Sequence, residues 1–177
     1  KAHPDTLNFA HNGAATLTNL VVELLKLKTG IKVGQVAYRG DNYSVSDVIA
    51  GHVHAMFSNS PVALPHIAGG RLRGLAVTSL RRSPAAPDIP TMIEAGVPDF
   101  QAVVWQGFSA PAATPRPIVD RLNAAAREAL KAPEVAGRFK ELGAELVGST
   151  PEEFAALVNR ELDVWADVVR RSGVKAN

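Results

Sequence analysis

Tyr38–Ser79 reads YRGDNYSVSDVIAGHVHAMFSNSPVALPHIAGGRLRGLAVTS. Within it two short apolar runs each end in a polar turn and pass directly into a helical pattern. Tyr38-Arg39-Gly40-Asp41-Asn42 precedes a helix predicted over 43–51, and Phe57-Ser58-Asn59-Ser60-Pro61 precedes one over 62–68. Leu72 to Ser79 follows as a further expected strand. Successive strand–turn–helix units build a parallel sheet flanked by helices. In such sheets small ligands sit beyond the C-terminal ends of the strands, where helix N-termini offer N–H groups. Polar βα turns also occur with no ligand, so each turn taken alone is equally a structural feature.

Upstream, Leu7-Asn8-Phe9-Ala10 reads as a strand and His11 to Ala15 as a turn. Thr16 is expected to cap a helix through its hydroxyl. Leu17, Leu20, Val21, Leu24 and Leu25 recur at three- and four-residue spacing and form its buried face, and Gly30 ends it. Val33–Tyr38 and His52–Phe57 read as strands. Downstream, Pro84, Pro87, Pro90 and Pro98 break the chain into turns around a short helix at 91–95. Phe100–Ala110 alternates and predicts a long strand. Helices are predicted over 117–131, 133–142 and 150–171, with a short strand at 144–147. Thr150-Pro151-Glu152-Glu153 has the form of a capping box with proline at the first helical position.

The 177 residues are 46% hydrophobic and 20% charged, enough apolar material for a packed core. The net charge of +2 and the isolated pairs Arg81-Arg82 and Arg170-Arg171 give no basic stripe, which argues against nucleic acid. Cysteine is absent. No apolar run approaches the ~20 residues of a membrane span. Lys1-Ala2-His3-Pro4-Asp5 has the look of a helix end and a turn, so residues are expected upstream. The chain shows no Gly-x-Ser-x-Gly elbow, no His-Glu-x-x-His and no phosphate-binding Gly-Lys-Ser/Thr loop. His52 and His54 share one face of the expected strand, but no third metal-type ligand is evident. No catalytic residue, metal or cofactor is assigned.

Taken in order, several pieces resemble one family. They are Leu7-Asn8-Phe9, Tyr38-Arg39-Gly40, Asp47 before Ala50-Gly51, Ala63-Leu64-Pro65-His66-Ile67 and Leu72 to Ser79. Asp88-Ile89-Pro90-Thr91, Glu94-Ala95-Gly96-Val97-Pro98, Trp105, Ala110-Pro111, Thr114-Pro115, Gly143-Ala144-Glu145 and Thr150-Pro151-Glu152 continue the series. Their sum is similar to the Bug family, the periplasmic solute receptors of tripartite tricarboxylate transporters. The resemblance implies an α/β, type II periplasmic-binding-protein-like fold, with a parallel or mixed sheet flanked by helices and C-terminal helices belonging to a truncated first domain. It implies a ligand-binding α/β domain over 1–104 and, over 105–177, a crossing strand and the helical part of that incomplete first domain. It further implies a periplasmic location, membrane transporter subunits as partners, and a small carboxylate as ligand.

The ligand positions that the resemblance implies are Gly13, Ala14, Ala15, Thr16 and Thr18, then Arg39, Gly40 and Asp41, then Ser58 and Asn59. This chain departs from the family pattern at Asp41, where small residues are usual, and at Ser58, where Asp is common. A carboxylate at Asp41 repels an anion and can pair with an amino group, which opens the expectation to an amino acid, or to a neutral or aromatic compound, in place of a di- or tricarboxylate. Asn59 before Ser60-Pro61 is equally placed to cap a helix. Two other readings stay open: a small α/β enzyme acting on a carboxylate, and a non-binding remnant that self-assembles. Apolar stripes on the helices at 117–131 and 150–171 further suggest a homodimer.

Overall fold

The computed structural model describes residues 6–13 and 16–174; Lys1–Asp5, Ala14 and Ala15 of the sequence reading lie outside them. The chain divides into two units, one of residues up to Val104 together with Trp165 onward, the other Trp105–Val164.

The first unit holds a three-stranded parallel sheet, β1 (Asn8–His11), β2 (Gly34–Ala37) and β3 (Ala55–Met56), in the order β2-β1-β3. Helix α1 (Leu17–Thr29) joins the first two strands and α2 (Asp41–Ile49) carries the chain across β1 to β3. Helix α3 (Ser60–Ala68) follows. Both connections are helical crossovers because parallel neighbours cannot be joined by a tight turn. The predicted face of α1 is real: Val21, Val22, Leu24 and Leu25 are buried. Gly30 takes φ 66°, a left-handed conformation open to glycine, and its N–H bonds the Lys26 carbonyl at 2.8 Å.

Phe100 is completely buried in a cluster with Val21, Leu24, Leu25, Met92, Ala102 and Val168. Phe57 stacks between Phe9 and Phe100, with ring centroids 6.0 and 6.3 Å apart. The apolar residues of the sheet, of the Pro-rich segment and of the last turns of α6 (Pro151–Ser172) therefore share one core. On α1 a polar patch faces β2 instead. Glu23, itself buried, accepts from Lys26 Nζ at 2.8 Å and from Gln35 Nε2, and Asn19 donates to Gln35 Oε1 at 2.8 Å. The Glu23 carboxylate and the Asn19 NH₂ are thereby paired, while Asn19 Oδ1 stays buried without a hydrogen-bond partner.

Four strand expectations change. Phe100–Ala110 forms no strand, although Ala102 N–H reaches the Thr78 carbonyl at 3.0 Å. Leu72–Ser79 contributes one parallel bridge, Val77 to Thr91. His52–Phe57 shortens to Ala55–Met56, and 144–147 is irregular. Alternation places side chains on two sides, but a strand also needs a neighbour for its N–H and C=O groups. The expected helix at 91–95 is a hydrogen-bonded turn. Glu94 receives the Thr91 N–H at 2.7 Å while Thr91 Oγ1 receives the Glu94 N–H at 3.1 Å.

The second unit contains α4 (Arg116–Ala129), α5 (Pro133–Glu141) and the larger part of α6. Trp105 meets Phe154 edge-on with centroids 5.2 Å apart, and Asn123 Nδ2 donates to the Ser149 carbonyl at 2.9 Å. The capping box predicted at Thr150 is present: Thr150 N–H to Glu153 Oε2 at 2.8 Å, Glu153 N–H to Thr150 Oγ1 at 3.1 Å. Arg116 bridges Asp120 at 2.7 Å and Glu152 at 2.6 Å. These pairs are exposed and add little to stability.

Two outcomes follow from this packing. Phe100→Ala removes the largest fully buried ring and leaves a cavity, so urea unfolding should show a loss of about 3–5 kcal/mol; a loss below about 1 kcal/mol contradicts the shared core. Thr150→Ala opens one half of the capping box and should cost about 1 kcal/mol, read as a drop in helical ellipticity and in the denaturation midpoint.

Candidate functional site

Because all three strands are parallel, the turns after β1, β2 and β3 emerge at the same edge of the sheet. The first turn is built on itself. His11, buried at the end of β1, accepts the Gly13 N–H on Nδ1 at 3.1 Å, which places the proton of its neutral ring on Nε2. Thr16 does not cap α1 with its hydroxyl, contrary to expectation. Its Oγ1 donates instead to the Gly13 carbonyl at 2.8 Å and stands 3.0 Å from Thr18 Oγ1. Thr18 Oγ1 accepts the Asn12 N–H at 3.0 Å. With the Thr16 proton on Gly13, the Thr18 hydroxyl gives its own proton to Thr16. Both hydroxyl protons are thus used within the turn, and the N-terminus of α1 keeps its backbone N–H groups free of any side-chain cap.

The second turn passes through Gly40, whose φ of 158° with ψ 164° lies where side-chain-bearing residues are strained. Asp41 then opens α2. Ser44, fully buried, donates its hydroxyl to the Asp41 carbonyl at 2.9 Å and holds that first turn closed. Tyr38 anchors the turn from the other side. Its N–H bonds the His11 carbonyl at 2.8 Å and its hydroxyl donates to Asp47 Oδ2 at 2.7 Å. That donated bond, with His52 adding to it, holds the Asp47 carboxyl below the ordinary aspartate range and raises the Tyr38 phenol.

The Asp41 carboxylate joins all three turns. Asn12 Nδ2 donates to Oδ1 at 2.5 Å, and Asn59 donates to Oδ2 through Nδ2 at 2.8 Å and through its backbone N–H at 3.3 Å. All of these donors are neutral. The Asn12 amide is oriented by this contact, since only its NH₂ can face a carboxylate. Its Oδ1 is enclosed without a hydrogen-bond partner. Asn59 precedes α3 but does not cap it with its side chain, because that amide is turned to Asp41.

Of the residues named from sequence, Gly13, Thr16, Thr18, Gly40, Asp41 and Asn59 lie in this cluster of turns. Ala14 lies outside the described residues. Arg39 is exposed, and Ser58 makes one long hydrogen bond, to the neighbouring Asn59 carbonyl at 3.4 Å. His11, Asn12 and Ser44 were not singled out. Asn12 stands in a turn that was recognised, but its role depends on a carboxylate far along the chain, which local reading does not reach. The histidines of the expected strand are bonded separately: His54 Nδ1 accepts the Asn8 N–H at 3.1 Å, and His52 lies 3.5 Å from Asp47. Two surface depressions, of about 410 and 240 Å³, lie on the second unit around Ile118–Leu122 and Leu146–Gly148 and share no residue with the turns.

The sequence profile described as "Tripartite tricarboxylate transporter family receptor" matches residues 1–174. Protein BugT of Bordetella pertussis is 38% identical over 99% of this chain and 54% of its own length. An R. palustris protein solved with adipate superposes with a TM-score of 0.84 at 31% identity, covering 98% of this chain and 58% of the other. MatC from Rhodopseudomonas palustris, solved with bound malate, superposes at 0.75 with 33% identity, over 93% and 57%. The chain spans about half the length of most of the curated relatives it matches, and 98% of one, a protein of Pseudomonas knackmussii that is 33% identical. Among the described residues no helix is long and apolar enough to cross a membrane. With a parallel α/β sheet, turns gathered at one edge and a profile match across nearly all its length, the chain belongs to the tripartite tricarboxylate transporter receptor family, with a periplasmic-binding-protein fold.

Proposed function

We propose that this chain contributes one wall of an extracytoplasmic receptor that captures a small carboxylate or amino-acid-like solute and delivers it to membrane transporter subunits. The observation that carries this reading is the grouping of the α1, α2 and α3 N-termini at one sheet edge, none capped by a side chain. Thr16 and Asn59 are residues of capping type, yet both are turned elsewhere. Helix starts without a side-chain cap suit a carboxylate, each N-terminus stabilising an anion by about 0.3–1 kcal/mol when exposed, although at α3 only the Ser60 N–H is unbonded. The adipate and malate held by two relatives are small carboxylates of the same kind. Binding, periplasmic location and the division into a ligand domain over 1–104 and a crossing and helical part over 105–177 are parts of this proposal.

The second unit supports an assembly role beside it. Ile118 and Leu122 on α4 are half-exposed or more, and Leu162 on α6 is 64% exposed. Burying a Leu-sized side chain contributes about 1.5–3 kcal/mol, so a second copy meeting these faces gains several such terms.

Amide NMR shifts during titration with adipate and with L-glutamate provide the test. Shifts should cluster at 11–19, 38–44 and 57–62, with dissociation constants near the millimolar range, since a receptor normally closes two walls on its ligand. Shifts confined to 105–164, or none at tens of millimolar ligand, remove the receptor reading. Light scattering at high micromolar concentration should return twice the 18.7 kDa chain mass; a clean monomer mass rules out the homodimer.

A further inference from the structure

The turns carry an acceptor surplus that a receptor for plain carboxylates has no use for. Asp41, partly exposed at the start of α2, presents a full negative charge, and every group bonded to it is neutral. Beside it Asn12 Oδ1 is enclosed with no donor. The Asn12 NH₂ and the Asn59 N–H and NH₂, which would otherwise be donors for an incoming anion, are already directed at Asp41. Nearby, the Thr16 hydroxyl proton goes to the Gly13 carbonyl and the Thr18 proton to Thr16 Oγ1. The Asn12, Asn59, Thr16 and Thr18 donors of these turns are therefore committed, while the Asp41 carboxylate remains to be met from the ligand side. An ionised carboxylate has about four lone-pair sites and only accepts, so three neutral donors leave room for one more. A primary ammonium brings three N–H donors and the compensating charge.

We propose that Asp41 is the specificity-determining residue of the crevice and that it selects a ligand carrying an ammonium group beside its carboxylate, over the deaminated acid of the same length. This rests on the receptor reading above. In that arrangement the ammonium pairs with Asp41 and the carboxylate takes the N–H groups at the start of α1 together with the Ser60 N–H of α3, since Pro61 has no N–H and Val62 and Ala63 already bond the Asn59 carbonyl. Arg39, exposed on the preceding residue but one, is not bonded to Asp41 and leaves the carboxylate open to the ligand.

The test compares matched ligands that differ only in the amino group, L-glutamate with glutarate and L-aspartate with succinate. Each is titrated into this chain and into Asp41→Asn, with amide NMR shifts as the readout and urea unfolding as the check on folding. The chain should bind the ammonium-bearing member of at least one pair about tenfold or more tightly. In Asp41→Asn that ratio should fall toward one, chiefly by loss of amino-acid affinity. A second variant, Asp41→Glu, keeps the charge and should retain the preference, which separates charge from the tie among the turns. Glutarate or succinate binding as tightly as its amino counterpart overturns the proposal, as does an unchanged ratio in Asp41→Asn. So does a gain of affinity for both members in that variant, which makes Asp41 a stand-in for the ligand carboxylate. If no member of either pair binds, the receptor reading fails first and this inference with it.

Discussion

A single carboxylate ties together the turns at the C-terminal edge of the sheet. Asp41 stands at the first turn of α2, receives Asn12 from the turn after β1 and receives Asn59 from the turn after β3. Hydrogen bonds to an ionised acceptor are roughly twice as strong as neutral ones. Three of them converging on one group fix the relative positions of turns that the β-ladder leaves loose beyond its last pair. The negative charge also complements the N-terminal end of α2. Without it, the two asparagines would fall back on water or on the helix N-termini next to them. Asn59 would then be free to cap α3, and the first turn would lose its tie to the second.

Capping chemistry is used in two ways within the chain. At Thr150–Glu153 and Thr91–Glu94 the hydroxyl and carboxylate satisfy each other's backbone N–H groups, closing those turns with nothing left over. At Thr16 and Asn59, residues of equal capping ability are turned to other partners, and no side chain caps the helix starts. The first pattern is local and visible as Thr-x-x-Glu, so it was legible in the sequence at Thr150. The second depends on Gly13, Thr18 and Asp41 arriving in the right places, and a sequence window around Thr16 predicts a cap that does not form.

The same division explains which elements were legible. α1, α4, α5 and α6 announce themselves by apolar residues on one face and by Gly30 or Pro151 at an end, signals contained within the element. β1 and β2 were legible because each is short, apolar and followed directly by a helix. Phe100–Ala110 carries as clear an alternation as any strand, yet only its first residues are drawn inward, with Phe100 and Ala102 buried and Val103, Val104 and Phe108 exposed. Its pattern describes one half of a ladder, and the other half is a property of whatever lies beside it. The family and its fold were legible in the ordered series of short pieces. The tie through Asp41 was not, although the residue itself stood out as a departure from the family pattern.

That departure has an electrostatic consequence whose size can be judged. Two like charges 4 Å apart near a protein surface repel by about 4 kcal/mol at an effective dielectric of about 20. Three exposed helix N-termini together return at most about 3 kcal/mol. A bare carboxylate placed against Asp41 therefore loses more than the helices give back. Moving it to about 8 Å halves the repulsion, and at physiological salt that separation is about one Debye length, so screening removes much of the rest. The anion is then pushed toward the α1 and α3 N-termini and away from the start of α2. The space left beside Asp41 suits a positive charge, for which the same Coulomb term changes sign. On the proposed reading, the residue that holds the three turns together also sets an anion-seeking side of the turn cluster apart from a cation-seeking one.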